Sequence, residues 1–341
     1  MNLINNHSQT RSSGRFLLTK HTLASTLILC AVMFSSQVFS QELALKAKRL
    51  YTGTGDMIEN GVVLMKDGKI TAIGSANSIK IDGQVETIDV EVATPGFIDA
   101  RSVVGLAGAM NQSHDQDQLE RSAPIQAELR AIDAYNPRER LVLWLREHGV
   151  TTVHTGHGPG EVVSGQTLIT KTYGNTVAQS VINPSFGLSA TLGPGATNHD
   201  RKSPGNRSKA VAMLRTELQK AKEYKAKLDA DKEQSRDLGL EALAAVLSGD
   251  MPLVLEVHRH HDIMTALRLA EEFGFKLILA GASESYLLID EILAAKVPVI
   301  LHPTMLRARG GSDLQHFSFT TAAKLVEAGV PVALQSGYEG Y

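Results

Sequence analysis

The chain of 341 residues contains a single cysteine, Cys30, so it cannot form an intramolecular disulfide. Zinc or iron–sulfur centres that are built on several thiolates are excluded for the same reason. Aromatic residues make up only 5% of the sequence, and 34 Lys and Arg are balanced by 36 Asp and Glu. Because the chain lacks the strong basic excess with which proteins neutralise phosphates, nucleic acid is not an expected partner.

Acidic residues are absent from residues 1–40, and this stretch has the three parts of a secretory signal peptide. Basic residues precede an apolar run over 22–34, and the segment from Val38 to Ser40 offers a cleavage site. The apolar run is too short to span a hydrocarbon core of about 30 Å, so no stable membrane span is expected. We predict that residues 1–40 are removed and that the mature chain is exported to the periplasm or beyond the cell.

Residues 41–94 alternate between apolar and polar side chains, which is the pattern of β-strands. The dipeptide Asp67-Gly68 stands between two such runs, 61–66 and 69–74, and predicts a tight hairpin. We therefore interpret residues 41–94 as a small β segment.

Strand-like apolar segments alternate with helical patterns in the rest of the chain. The most regular strands are predicted at 252–257, 276–280, 297–301 and 330–334, and the helices at 137–148, 208–234, 261–273, 284–295 and 320–328, with Ser208 capping the second helix. This alternation favours parallel strands covered by helices, in an open doubly wound sheet or a (β/α)8 barrel. Residues 155–207 are rich in Gly, Ser, Thr and Asn and predict long loops around short strands.

Two motifs resemble the opening of amidohydrolase-superfamily enzymes, especially the imidazolonepropionase-like and dihydroorotase-like branches. They are Asp67-Gly-Lys-Ile-Thr-Ala-Ile-Gly74 and Thr94-Pro-Gly-Phe-Ile-Asp99. The resemblance implies an α/β fold, with an incomplete β-sandwich segment at 41–94 and a (β/α)8 TIM-type barrel at 95–341. It also implies a small-molecule substrate and hydrolysis of a non-peptide C–N bond, in a cyclic or linear amide, by metal-activated water.

The family's first barrel strand continues as Asp-x-His-x-His, so that two imidazoles point the same way and hold a metal, which is zinc by resemblance. Here the two histidine positions after Asp99 are occupied by Arg101 and Val103. Neither side chain has a lone pair for a cation. His258 matches the family's fifth-strand histidine, but the sixth-strand histidine and the eighth-strand aspartate have no counterpart. We therefore predict that the usual binuclear site is absent.

Four histidines stand at or just after the predicted carboxyl ends of strands, where barrel enzymes place their active sites. His258 and His302 are expected two strands apart, close enough for both to bind one zinc ion. His154 and His157 are the candidates for binding substrate. For each histidine the alternative is a hydrogen bond to backbone or loop groups, because fold alone does not place a site.

Asp99 and Arg101 are the candidate catalytic residues. A buried arginine is costly unless it is paired, and Arg101 takes the place of the family's divalent cation. It is either a fixed positive charge for an anionic or carbonyl ligand, or a structural ion pair with Asp99 or Glu256.

Relatives in this family continue past the eighth strand, whereas this sequence ends at Tyr341, so we expect a barrel truncated after strand 8. Three interpretations follow from the sequence. The first is a secreted C–N hydrolase, the second is a non-catalytic, metal-free binding protein on the same barrel, and the third is an inactive truncated fragment.

Overall fold

The computed structural model of the protein describes residues 42–108, 112–197, 203–230, 232–302 and 316–337. Two compact units divide between Pro95 and Gly96. The predicted signal peptide over 1–40 lies outside the described residues. Within the described ranges, no helix is both long and apolar enough to cross a bilayer.

Within residues 42–95, the first unit forms four strands, which are β1 Glu42–Leu50, β2 Ile58–Lys66, β3 Lys69–Ser75 and β4 Glu86–Ala93. They form one sheet in the order β3-β2-β1-β4, in which β1 pairs antiparallel with β2 and parallel with β4. Asp67 and Gly68 both adopt positive φ, 52° and 74°, in the turn between β2 and β3. The predicted hairpin is therefore confirmed, because such turns need this backbone conformation.

The described residues of the second unit form eight strands, which are β5 Phe97–Ser102, β6 Val150–Gly156, β7 Val163–Lys171, β8 Val181–Thr191, β9 Leu253–Val257, β10 Leu277–Gly281, β11 Val299–Leu301 and β12 Val332–Leu334. Their order in space follows the chain from β5 to β12, which rules out a doubly wound sheet. Ser336, just after β12, donates hydrogen bonds to Asp99 in β5. The sheet is thus a nearly closed barrel, as predicted.

One part of the barrel departs from the predicted β/α alternation. Strands β6, β7 and β8 pair antiparallel, whereas β5 with β6 and the run from β8 to β12 are parallel. The prediction of short strands over 155–207 is wrong, because β7 has nine residues and β8 has eleven. The segment contains good strand formers, among them Val163, Thr167 and Ile169. The Gly and Ser residues between them obscured the strand pattern in the sequence.

Helices connect and cover the strands. In the described ranges they are α1 Arg140–Glu147, α2 Val177–Ser180, α3 Arg207–Asp229, α4 Leu238–Ser248, α5 His260–Phe273, α6 Ile289–Ala295 and α7 Thr321–Glu327. The cap of α3 is Asn206 rather than the predicted Ser208, because the Asn206 side chain accepts a hydrogen bond from the Lys209 N–H at 2.9 Å. Helix α4 was not predicted, although Asp237 caps its start and a left-handed Gly249 ends it.

The main core lies between the parallel strands and their helices. Leu253 and Leu255 of β9 and Leu279 of β10 have no exposed surface, and Ile263 and Leu269 of α5 belong to the same cluster. Burial of apolar surface in this layer contributes about 25 cal/mol per Å². The core therefore holds the carboxyl ends of β9 and β10 in fixed positions, and the candidate site lies there.

Candidate active site at the carboxyl ends of the strands

Arg101 lies near the end of β5 and is only 5% exposed. Its guanidinium donates hydrogen bonds to the Ser189 hydroxyl in β8 at 2.9 Å and to the Ser102 carbonyl at 3.1 Å, and also to the His157 carbonyl. The side chain therefore reaches across the barrel and connects β5 with β8 and with the loop after β6. This is the extended donor geometry that distinguishes arginine from lysine.

Asp99 lies two residues before Arg101 and is 5% exposed. Burial raises the pKa of its carboxyl, whereas the hydrogen bonds from Ser336 and from the Arg101 N–H, and the charge of Arg101, oppose that rise. The Ser336 N–H and hydroxyl donate to the two carboxylate oxygens at 2.9 and 2.6 Å. Asp99 thus has a clear structural part in closing the sheet, and its catalytic role stays a prediction.

Glu256 and His258 stand at the carboxyl end of β9. His258 Nε2 lies 3.3 Å from Glu256 Oε1, and His258 Nδ1 lies 2.8 Å from the Ser283 hydroxyl oxygen. Burial alone would raise the pKa of Glu256, but the hydrogen bond with His258 and the charges of His258, Arg101 and His302 lower it below its ordinary value. Glu256 is therefore an anion at the barrel mouth, held by its contact with His258 and by the nearby charge of Arg101.

The rings of His258 and His302 lie close together, with centroids 5.9 Å apart, as their predicted positions required. Both ring nitrogens of His258 face protein partners. Among the described residues, no group of three or more His, Cys, Asp or Glu side chains is arranged to hold a metal ion. The guanidinium of Arg101 adds a positive charge and no lone pair at the first-strand position. These residues do not fit a binuclear zinc site, and the ligand roles of His258 and His302 stay predictions.

His154 is buried in β6, with Nδ1 2.7 Å from the Ala100 carbonyl oxygen and Nε2 2.8 Å from the Thr167 hydroxyl oxygen. Burial and the charge of Arg101 lower its pKa to about 3. The neutral ring connects β5 with β7, which is the structural alternative considered for it. The same causes lower the pKa of His157 to about 4, but neither ring nitrogen of His157 has a hydrogen-bond partner among the described residues. Their roles in substrate binding stay predictions.

Two small cavities of about 10 Å³ each lie at this end of the barrel. Arg101 and Glu256 line one, and Ser283 and His302 line the other. Each is close to the volume that one water molecule needs. A cavity of about 980 Å³ lies instead at the amino ends of β9 to β11, against α5 and α6. Active sites of such barrels lie at the carboxyl ends, so the large cavity is not the candidate site.

Three serines at the site were missed by sequence reasoning, namely Ser189, Ser283 and Ser336. Each donates to, or lies beside, a charged or imidazole side chain at the carboxyl end of a barrel strand. The positions of Ser283 and Ser336 could have indicated a site, because both residues closely follow apolar strands that the sequence predicted. Serine is so common in loops that this position alone did not single them out.

Comparisons with known proteins extend the motif resemblance. No family model matches the chain. Imidazolonepropionases of Streptococcus gordonii and Streptococcus sanguinis are each 28% identical over 122 residues, which cover 30% of this chain and 29% of each relative. The aligned region is therefore less than a third of these relatives' length. A crystal structure of an amidohydrolase from Thermotoga maritima MSB8 is 27% identical, with a TM-score of 0.81, and the match covers 86% of this chain and 78% of that one.

The fold and the polar cluster at its carboxyl edge define a barrel protein of the kind that carries enzyme sites. The similarity to the Thermotoga structure extends over most of both chains. The resemblance of its two opening motifs to the amidohydrolase superfamily is thus confirmed.

Proposed function

We propose that the protein is an exported hydrolase that cleaves a non-peptide C–N bond in a small cyclic or linear amide. The observation that carries this proposal is the pair formed by Glu256 and His258 at the carboxyl end of β9. Amide hydrolysis needs a group that takes a proton from the attacking oxygen and returns one to the leaving nitrogen. An imidazole held by a carboxylate is suited to both transfers. The similarity to an amidohydrolase supports the same reaction class.

The chemistry assigned to these residues uses no metal, because the first-strand histidines, the sixth-strand histidine and the eighth-strand aspartate of the family's zinc site have no counterpart in this chain. His258 accepts and returns the proton, while Glu256 orients the ring and stabilises its charged form. Arg101 supplies a fixed positive charge near Glu256 and beside one of the small cavities. A preorganised positive charge of this kind stabilises the negative oxygen that develops on the carbonyl.

The test is hydrolysis of a panel of lactams, cyclic imides and N-acyl amines by the purified protein, measured as release of amine or carboxylate. We expect turnover of at least one class, and a loss of about 10²-fold or more in Glu256→Gln. His148→Gln, at an exposed histidine after α1, is the matched control and keeps full activity. Folded wild-type protein that turns over none of the classes would contradict the proposal.

A second candidate function is a metal-free binding protein on the same barrel. Two observations favour it: Arg101 already donates to three protein oxygens, and the cavities beside it and beside Ser283 are small. Such a protein would bind small carboxylates or amides without changing them. Calorimetric titration with the same panel, followed by analysis of the recovered compound, separates the two functions, since only the hydrolase returns cleaved product.

Export is proposed from the sequence of residues 1–40 alone. The expected result is a mature protein in the periplasm or medium whose first residue, by amino-terminal sequencing, is Gln41 or a near neighbour. Intact Met1 on protein recovered from a soluble cytoplasmic fraction would contradict export.

A further inference from the structure

Ser283 lies two residues after β10, where the chain turns toward a short 3-10 helix at Ser285–Leu287. Its hydroxyl oxygen is 2.8 Å from Nδ1 of His258, and Nε2 of the same ring is 3.3 Å from Glu256. A hydroxyl, an imidazole and a carboxylate therefore follow one another in hydrogen-bond contact. This is the arrangement by which enzymes activate a serine nucleophile on unrelated folds.

The backbone before Ser283 is constrained in a way that fits such a role. Gly281 has φ +74°, and a Cβ there would lie 2.6 Å from Cε1 of His258, so only glycine lets the ring approach. Ala282 adopts φ +45°, a left-handed conformation that residues with a side chain rarely adopt. Strained positions of this kind persist where the surroundings hold them, and they cluster at functional sites.

Hydrogen bonds fix the turn directly to the end of β9. The Ala282 N–H donates to the Val257 carbonyl at 2.8 Å, and the Glu284 N–H donates to the His258 carbonyl at 2.9 Å. Ser283 is thus held between two backbone anchors and is only 3% exposed. The contact with His258 follows from the backbone path on both sides of the serine rather than from a freely rotating side chain.

We propose that Ser283 is a nucleophile, activated by His258 and Glu256, that forms a covalent acyl-enzyme during hydrolysis. The inference rests on the proposed function and names the attacking atom. His302 also lines the cavity that Ser283 lines, which has about the volume of one water molecule. Ser283 therefore lies beside two imidazoles, those of His258 and His302.

In the first half of the reaction, Ser283 Oγ forms a bond to the amide carbonyl carbon and its proton passes to Nδ1 of His258. The C–N bond then breaks, and the leaving nitrogen takes that proton, which leaves an ester on Ser283. In the second half, water adds to the ester carbonyl and gives a proton to His258. The bond between Oγ and carbon breaks, and Oγ regains a proton from the ring. The sum is amide and water in, carboxylic acid and amine out, and His258 is unchanged.

A purely structural serine would make the same 2.8 Å contact, so the test must detect a covalent bond. The probe is an alkyl fluorophosphonate, in which an activated serine oxygen displaces fluoride and forms a bond to phosphorus. Labelling is followed by intact mass and peptide mapping on the purified protein. We expect one adduct, on the peptide that contains Ser283, and none in Ser283→Ala. Ser122→Ala, at an exposed serine that does not line this cavity, is the control and is labelled at the wild-type rate.

The two supporting residues have their own expected results. Glu256→Gln and His258→Gln should slow labelling at least tenfold while circular dichroism stays unchanged. Ser283→Cys should be alkylated by iodoacetamide at least tenfold faster than the double variant Ser283→Cys/His258→Gln, in which the thiol has the same surroundings except for the base. Equal rates in this pair would overturn the activation of residue 283.

Other outcomes separate this proposal from the proposed function. Amide hydrolysis that persists within threefold in Ser283→Ala would overturn the nucleophile and leave the hydrolase intact. A labelled Ser283 in a protein that cleaves no amide would support the nucleophile and overturn the C–N specificity. No labelling of Ser283 in folded wild-type protein overturns the inference.

Discussion

Asp99 and Ser336 are joined by two hydrogen bonds although they are 237 positions apart in the sequence. The carboxylate belongs to the first strand of the barrel, and the serine follows the last. Both oxygens of Asp99 are engaged, one by the Ser336 N–H and one by its hydroxyl. This contact connects the two outer strands of the eight-stranded sheet, so the polar cluster at its carboxyl edge depends on it for its shape.

We predict that Ser336→Ala lowers the free energy of unfolding by about 1–3 kcal/mol, because a buried carboxylate loses one of its donors. The measurement is urea denaturation followed by circular dichroism. Ser122→Ala, at an exposed serine, is the control and should change stability by less than about 0.5 kcal/mol. Equal denaturation midpoints for Ser336→Ala and wild type would show that the contact does not hold the sheet together.

A second prediction concerns the buried imidazole of His154, whose pKa falls from the ordinary histidine value of 6.5 to about 3 in the folded protein. Between these values the unfolded chain binds a proton that the folded chain does not. The stabilisation by the neutral ring is therefore complete above pH 6.5 and is lost as the pH falls toward 3. We expect His154→Gln to be less stable than wild type at pH 7.

The difference between the two proteins should shrink by up to about 1.4 kcal/mol per pH unit between pH 6 and pH 4, because glutamine does not titrate. Urea denaturation of both proteins at pH 7, 6, 5 and 4 gives this difference directly. His157 titrates in both proteins, so its contribution cancels in the comparison. A difference in the free energy of unfolding that stays constant over this pH range would mean that His154 is not buried in its neutral form.

Local signals in the sequence predicted local features of the fold. The turn at Asp67 and Gly68 needed nothing beyond its own dipeptide and flanking strands. The proximity of His258 and His302 also followed, because both come at the end of predicted parallel strands. In each case the prediction depends on about ten neighbouring residues or on the regular alternation of strands and helices along the chain.

Features that depend on distant partners were not predictable. The hydrogen bond between Asp99 and Ser336, and the reach of Arg101 to Ser189, join residues that no local pattern relates. The antiparallel strands β7 and β8 were missed because Gly165 interrupts a run of strand formers, so composition alone indicated loops. Serine carries little signal on its own, and Ser283 stood out only once its distance from His258 was known.

A third prediction concerns the buried guanidinium of Arg101. Arg101→Met keeps much of the volume but leaves the Ser189 hydroxyl and two carbonyl oxygens without their donor, and it removes a positive charge that lowers the pKa of Glu256. Removal of one member of a buried charged network typically costs about 3–5 kcal/mol. Arg140→Met, at an exposed arginine that begins α1, is the control and should be nearly neutral. Thermal and urea unfolding of both variants should be compared, and equal losses would contradict a network centred on Arg101.

The last prediction uses the same residue to test the metal chemistry of the site. A divalent ion about 4 Å from the Arg101 guanidinium would be repelled by several kcal/mol at an effective dielectric constant near 20. We therefore expect the wild-type protein, dialysed against zinc and then against buffer, to hold no stoichiometric metal at the first-strand position. Arg101→His/Val103→His restores two imidazoles there and removes the repelling charge.

Metal content by mass spectrometry should rise toward one equivalent in the double variant, provided that its circular dichroism matches wild type. Val103→His alone is the matched control, because it adds one imidazole but keeps Arg101, and it should stay near zero. Any zinc that the wild type does bind should depend on His258 together with His302 or His154, the histidines near this end of the barrel. A wild-type protein that already holds one or two equivalents, lost on His258→Ala, would overturn the metal-free site, because the repulsion from Arg101 would then be offset by ligands that the described residues do not provide.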